Sequence, residues 1–167
     1  MARLFWVEYA VINPGKAGCF FALCLIAFVP LAPAQGTYTQ IDFPGSTGTY
    51  CWGIDNAEEI SGTFGDSGGG YHGFLLSGGN FSVIDYPGAQ NTYLNGLNDL
   101  GQIVGFARSP DIGFVYDVQT QSFTEIRYPG APLTYPYSIN NAGTIVGAFT
   151  DSHMRKLRGF ELIDQTL

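Results

Sequence analysis

The chain has 167 residues, a net charge of −7 and only 7 Lys and Arg, three of them clustered as Arg155-Lys156-Arg158. Phosphate neutralisation needs a basic face, so this balance argues against a nucleic-acid partner. An aromatic content of 15% with 23 Gly and 9 Pro points to short strands and frequent turns, an all-β class.

In chain order, Lys16 precedes a run from Ala17 to Ala32 that is apolar apart from Gly18, and Ala32-Pro33-Ala34 supplies small residues at the spacing a signal peptidase reads. Residues 1–34 therefore read as a secretory signal peptide cleaved after Ala34. The apolar core, at about 16 residues, is short for a spanning helix, which needs about 20; an uncleaved membrane anchor is the alternative. The remainder, 35–167, forms one β-repeat domain, placed outside the cell or in the periplasm and free of the membrane after cleavage. Cys19 and Cys24 leave with the signal, so Cys51 has no internal disulfide partner and reads as a small buried hydrophobe.

The rest of the chain repeats itself three times. Ile41-Asp42-Phe43-Pro44-Gly45 returns as Ile84-Asp85-Tyr86-Pro87-Gly88 and as Ile126-Arg127-Tyr128-Pro129-Gly130, at intervals of 43 and 42 residues. Thr-Tyr follows in each copy (Thr49-Tyr50, Thr92-Tyr93, Thr134-Tyr135), then Gly53-Ile54-Asp55-Asn56, Gly96-Leu97-Asn98-Asp99 or Ser138-Ile139-Asn140-Asn141. A run ending in glycine comes next, at Gly62, Gly105 and Gly147, and each copy reaches a Gly-Phe pair at Gly73-Phe74, Gly113-Phe114 or Gly159-Phe160.

Each copy reads as four short antiparallel strands, twelve in all, over repeats of about 37–78, 79–119 and 120–163. Pro-Gly supplies a type II corner after the Ile-Asp strand. Asn98-Asp99-Leu100-Gly101 and Asn140-Asn141-Ala142-Gly143 supply tight hairpins, whereas Glu58 stands where the glycine belongs in the first copy and predicts a looser or strained turn. Gly78-Gly79-Asn80 reads as a turn into the next repeat. A four-stranded unit of about 40 residues matches a β-propeller blade, yet closed propellers have 4 to 8 blades. Three copies therefore imply a partial propeller, one half of an oligomeric ring such as a homodimer, or a piece of a longer array.

The ladder resembles the HAF family of predicted extracellular repeats, named for a His-Ala-Phe tripeptide. The matching tripeptide here is His72-Gly73-Phe74, with Ile112-Gly113-Phe114 and Arg158-Gly159-Phe160 in the other copies. The combined pattern of Ile-Asp-Tyr-Pro-Gly, a Gly-Ile-Asn type turn and Ile-Val-Gly covers about residues 37–163. The resemblance implies an exported bacterial repeat protein and carries over no catalytic residue.

Candidate chemistry is sparse. Gly65-Asp66-Ser67-Gly68-Gly69 looks like a trypsin-type nucleophile motif, but the histidine motif that mechanism needs is missing and the segment reads as an inter-strand loop. His72 reads as a strand-end packing residue and His153 as a loop residue; neither has metal-ligand spacing, and no cofactor is implied. Asp42 and Asp85 share one repeat position and offer carboxylates for glycan hydrolysis, with Asp55 as a second carboxylate, or for simple turn stabilisation. Arg127 takes that position in the third copy, where it can pair with a neighbouring carboxylate. Tyr50, Tyr93 and Tyr135, with Trp52 nearby, offer either a sugar-stacking platform or an inter-sheet core. The expected function is a secreted non-catalytic module that binds a surface glycan or a protein, with a glycan-active enzyme and a structural envelope component as alternatives.

Overall fold

The computed structural model describes residues 36–153 and 156–163. The signal segment, Gln35 and the carboxy-terminal Asp164 to Leu167 lie outside the described residues, as do Met154 and Arg155. Eleven strands form three antiparallel sheets. The first holds β1 (Gly48–Ile54), β2 (Ile60–Gly65), β3 (Tyr71–Ser77) and β4 (Asn80–Ile84) in that order. The second holds β5 (Asn91–Leu97), β6 (Gln102–Arg108), β7 (Ile112–Asp117) and β8 (Ser122–Ile126). The third holds β9 (Thr134–Ile139), β10 (Ile145–Thr150) and β11 (Leu157–Leu162). There is no helix among the described residues.

The chain is all-β as expected, but the sheets are framed one strand later than the repeats were. Gly78 and Gly79 both take positive φ, 55° and 81°, as a two-residue hairpin requires, and they pair Ser77 with Asn80 within one sheet. The chain leaves a sheet instead at the Pro-Gly corner. Ser46, Ala89 and Ala131 each donate an N–H to the carbonyl of Phe43, Tyr86 and Tyr128, and the intervening glycines sit at φ 75° to 79°. The ladder threonines lock these corners: Thr49, Thr92 and Thr134 each accept the N–H of the corner's first residue at 2.9 Å. Ile84-Asp85 and Ile126-Arg127 thus close a sheet, and Ile41-Asp42 precedes β1 without belonging to any sheet among the described residues.

Within each sheet a phenylalanine lies across a glycine on the neighbouring strand. Gly62 faces Phe74, Gly105 faces Phe114 and Gly147 faces Phe160 in register. A side chain on any of these glycines would meet that ring and a backbone carbonyl of the first strand, which is why the position recurs as glycine. Sheets then pack face to face. Leu75, Ile84, Leu94, Ile103 and Phe114 form one buried cluster; Val104, Val115, Ile126, Ile139 and Ile145 form the next. Ile103 and Val104, successive on β6, point to opposite faces, so the middle sheet is covered on both sides. Gly73 and Gly113 admit the approach: a side chain at Gly73 would run into Leu94, and one at Gly113 into Pro136.

The strained turn is observed, without loosening. Glu58 holds φ 63°, the left-handed conformation that Gly101 and Gly143 take at φ 77°. Its N–H still reaches the Asp55 carbonyl at 3.3 Å, and the Asp55 carboxylate accepts the N–H groups of Ala57 and Glu59 as Asn98 and Asn140 do in their turns. Left-handed geometry costs a non-glycine residue about 1–2 kcal/mol. Glu58→Gly is expected to raise the unfolding midpoint, contributing about 1 kcal/mol by denaturant titration; a lowered midpoint would contradict this account.

Candidate functional site

The first strands of the three sheets, β1, β5 and β9, run side by side. Two residues beyond the ladder tyrosine each presents a variable side chain: Trp52, Asn95 and Tyr137. With Tyr93 from β5 and Phe106 from β6 they line an open recess of about 410 Å³. Trp52 is 60% exposed and Tyr137 48%, whereas Tyr93 and Phe106 are half-buried.

The rings support one another. Tyr93 stacks on Phe106 at 4.7 Å with 14° between planes, and Tyr71 stacks on the same tyrosine at 5.5 Å. Tyr135 meets Phe106 edge-on at 5.0 Å, and the Arg108 guanidinium lies over both rings, 5.7 and 5.4 Å from their centroids. Tyr50 lies nearly parallel to Trp52 at 6.2 Å. Asn95 is fixed from two directions: its amide donates to the Pro136 carbonyl at 2.7 Å, and its own backbone carbonyl accepts the Ser61 hydroxyl. Burial pushes the phenols of Tyr93 and Tyr135 above their ordinary range, so both remain O–H donors at neutral pH. The surface offers flat apolar faces with a few hydrogen-bonding groups among them.

The sequence-predicted tyrosines and Trp52 therefore gather in one region. Trp52 and Tyr93 line the recess, Tyr135 buttresses its Phe106 wall, and Tyr50 stacks behind Trp52. The inter-sheet core is made by other residues, Leu94 and Phe114 among them, both 0% exposed. Tyr137, Phe106 and Asn95 were not singled out from sequence, although the changing residue two places after the ladder tyrosine was a usable signal. Cys51, expected to be buried, is exposed on β1.

The aspartates lie elsewhere. Asp42 accepts a hydrogen bond from the Gln40 amide in the segment before the first corner. Asp85 binds His72 Nδ1 at 2.8 Å and accepts the Gly73 N–H, while Asp66 faces His72 Nε2 at 3.3 Å and accepts the N–H groups of Gly68 and Gly70 at 2.8 Å. The hydrogen bond that the imidazole donates to Asp85, opposed by partial burial and helped by Asp66, raises its pKa above the ordinary value. The Gly65 to Gly69 loop is thus the β2–β3 turn, with Asp66 as its brace. Arg127 pairs with Glu125 at 3.0 Å, as the sequence allowed.

A second, polar recess of about 370 Å³ lies where the three Asn/Asp turns meet. Asn56 donates to Asp99 through its backbone at 2.9 Å and its side chain at 2.7 Å, and Asn141 Nδ2 donates to the same carboxylate at 2.7 Å. These bonds hold the Asp99 carboxyl below the usual carboxylate range and tie the three sheets together at one end. No group of His, Cys, Asp and Glu suited to a metal ion occurs among the described residues. No protein-family model matches the chain, and no curated protein matches it in sequence.

Proposed function

We propose that this is an exported, non-catalytic carbohydrate-binding protein whose three sheets are consecutive blades of a β-propeller. The observation that carries the reading is the recess of Trp52, Tyr93, Phe106 and Tyr137 around Asn95. Flat aromatic faces suit the apolar faces of sugar rings, and amide and phenol groups between them suit sugar hydroxyls. The signal-like amino terminus and the resemblance to HAF repeats support an extracellular or periplasmic setting, in which a surface glycan is the available ligand. The enzyme alternative has less support, because Asp42, Asp85 and Asp55 are not among the residues of the aromatic recess and all three are engaged in local hydrogen bonds.

Trp52→Ala is the sharpest test, since the ring is exposed and its removal costs the fold little. Calorimetric titration with a polysaccharide fragment selected on a glycan array should show affinity reduced about 10- to 100-fold, equivalent to about 1–3 kcal/mol, with an unchanged unfolding midpoint. Tyr93→Ala should weaken binding similarly with some loss of stability. Unchanged affinity in both variants, or turnover of the glycan that falls in Asp42→Asn or Asp85→Asn, would sink the binding-module reading.

A further inference from the structure

β4 pairs with β3 so that Ile84 faces Gly73, and β8 pairs with β7 so that Ile126 faces Gly113. β11 is the counterpart of β3 and β7, and no strand pairs with its outer edge among the described residues. One further copy of the β4 and β8 sequence, the segment Thr39-Gln40-Ile41-Asp42 ahead of the first corner, lies in no sheet among the described residues. We propose that this segment adds to β11 of a second copy of the chain, with Ile41 facing Gly159, and that two chains close a ring of six sheets through two such junctions.

Three features of the free surfaces fit that occupant. The first is a ring missing from an aromatic cluster. Phe81 packs 5.1 Å from Phe43 and 5.3 Å from Phe74, and Phe123 packs 5.2 Å from Tyr86 and 5.1 Å from Phe114. In the third sheet Tyr128 and Phe160 lie 6.3 Å apart without that member among the described residues, and the residue at the matching position of the unpaired segment is Tyr38, 92% exposed.

The second is charge. His72 pairs with Asp85 across the edge of the first sheet; the same two repeat positions at the proposed junction hold Arg158 and Asp42, a cation and an anion.

The third is the sheet face. Gly73 receives Leu94 and Gly113 receives Pro136 from the following sheet, and both glycines are buried. At Gly159 an added side chain would meet only the Gly147 carbonyl, 3.9 Å away. The residue matching Leu94 and Pro136 on β1 is Cys51, which is exposed, as Ile54 is at 65%. Both unfinished surfaces, the outer side of the third sheet and the leading side of the first, are complementary by the repeat's own rule.

The inference rests on reading the sheets as propeller blades and is independent of the recess ligand, since all recess residues belong to one chain. Light scattering on the protein across a dilution series should give a mass twice that of one chain. Maleimide labelling at Cys51, followed by peptide mass, should be slow in the wild type and faster by about tenfold or more in Gly159→Val, which the lone chain accommodates in open space but the junction does not. Asp42→Arg and Arg158→Asp should each weaken the dimer, and the double variant should restore it. A single-chain mass at every concentration with equal Cys51 labelling in the wild type and Gly159→Val overturns the proposal, as does an open ladder of larger assemblies. Glycan binding retained by a monomeric Gly159→Val separates failure of the assembly from failure of the recess.

Discussion

Gly105→Val is expected to leave the chain unfolded. An added Cβ there would lie 2.9 Å from the Phe114 ring and closer still to the Tyr93 carbonyl oxygen. The ring is walled in, because Phe114 is 0% exposed, and the carbonyl belongs to β5, the edge strand that pairs with β6 itself, so it cannot retreat without breaking that pairing. Overpacking in a compliant core costs about 1–3 kcal/mol. Here backbone must shift as well, so the expected loss is at least about 4 kcal/mol, a large part of the 5–15 kcal/mol typical of a domain. Gly62, facing the fully buried Phe74, meets the same pair of obstacles in its own sheet and predicts the same outcome. Gly159→Val is the contrast: it is a strand glycine of the same ladder with an open face, and the lone chain should still fold and unfold cooperatively. Denaturant titration of the two variants checks both statements, and a cooperatively folded Gly105→Val of native stability would refute the first.

That contrast also shows what the sequence could and could not disclose. Periodicity reveals how often a unit recurs and is silent about where it starts, so the strands were legible and their grouping was not. The phase lay in turn chemistry: Gly78-Gly79 fits the two-residue loop that forces its flanks to pair, and Pro44-Gly45, Pro87-Gly88 and Pro129-Gly130 re-aim the chain. Thr49, Thr92 and Thr134 recur because they hold those corners, a role visible only once hydroxyl and amide are seen together. Cys51 was assigned to the interior on its residue type, and its repeat position is indeed interior in the other copies, where Leu94 is 0% exposed. A pattern within one strand cannot say whether a neighbouring sheet is present. The aromatic recess was half legible. Trp52 and Tyr93 stood out by type, but Tyr137 joins them only because β1, β5 and β9 lie side by side.

Phe114→Ala should be the most damaging truncation of the aromatic ladder, lowering stability by about 3–5 kcal/mol and the melting temperature by roughly 10–20 °C. Phe114 covers Gly105, stacks 5.5 Å from Tyr86, meets Phe123 at 5.1 Å and sits in the cluster joining the first two sheets. Its removal leaves a cavity bounded by strands on both faces, which cannot collapse without breaking register. Phe160 covers Gly147 in the same way, yet it is only half-buried and, among the described residues, one ring lies against it where two lie against Phe114. For an isolated chain Phe160→Ala should therefore cost less, about 1–2 kcal/mol. Differential scanning calorimetry of the two variants reads this gap. In the assembled state the Phe160 ring gains the missing neighbour, so the gap should be wide in a Gly159→Val background, where chains stay apart, and narrow in the wild type. Equal gaps in both backgrounds would mean that no ring reaches Phe160 from another chain, and equal costs for Phe114→Ala and Phe160→Ala in separated chains would overturn the packing argument itself.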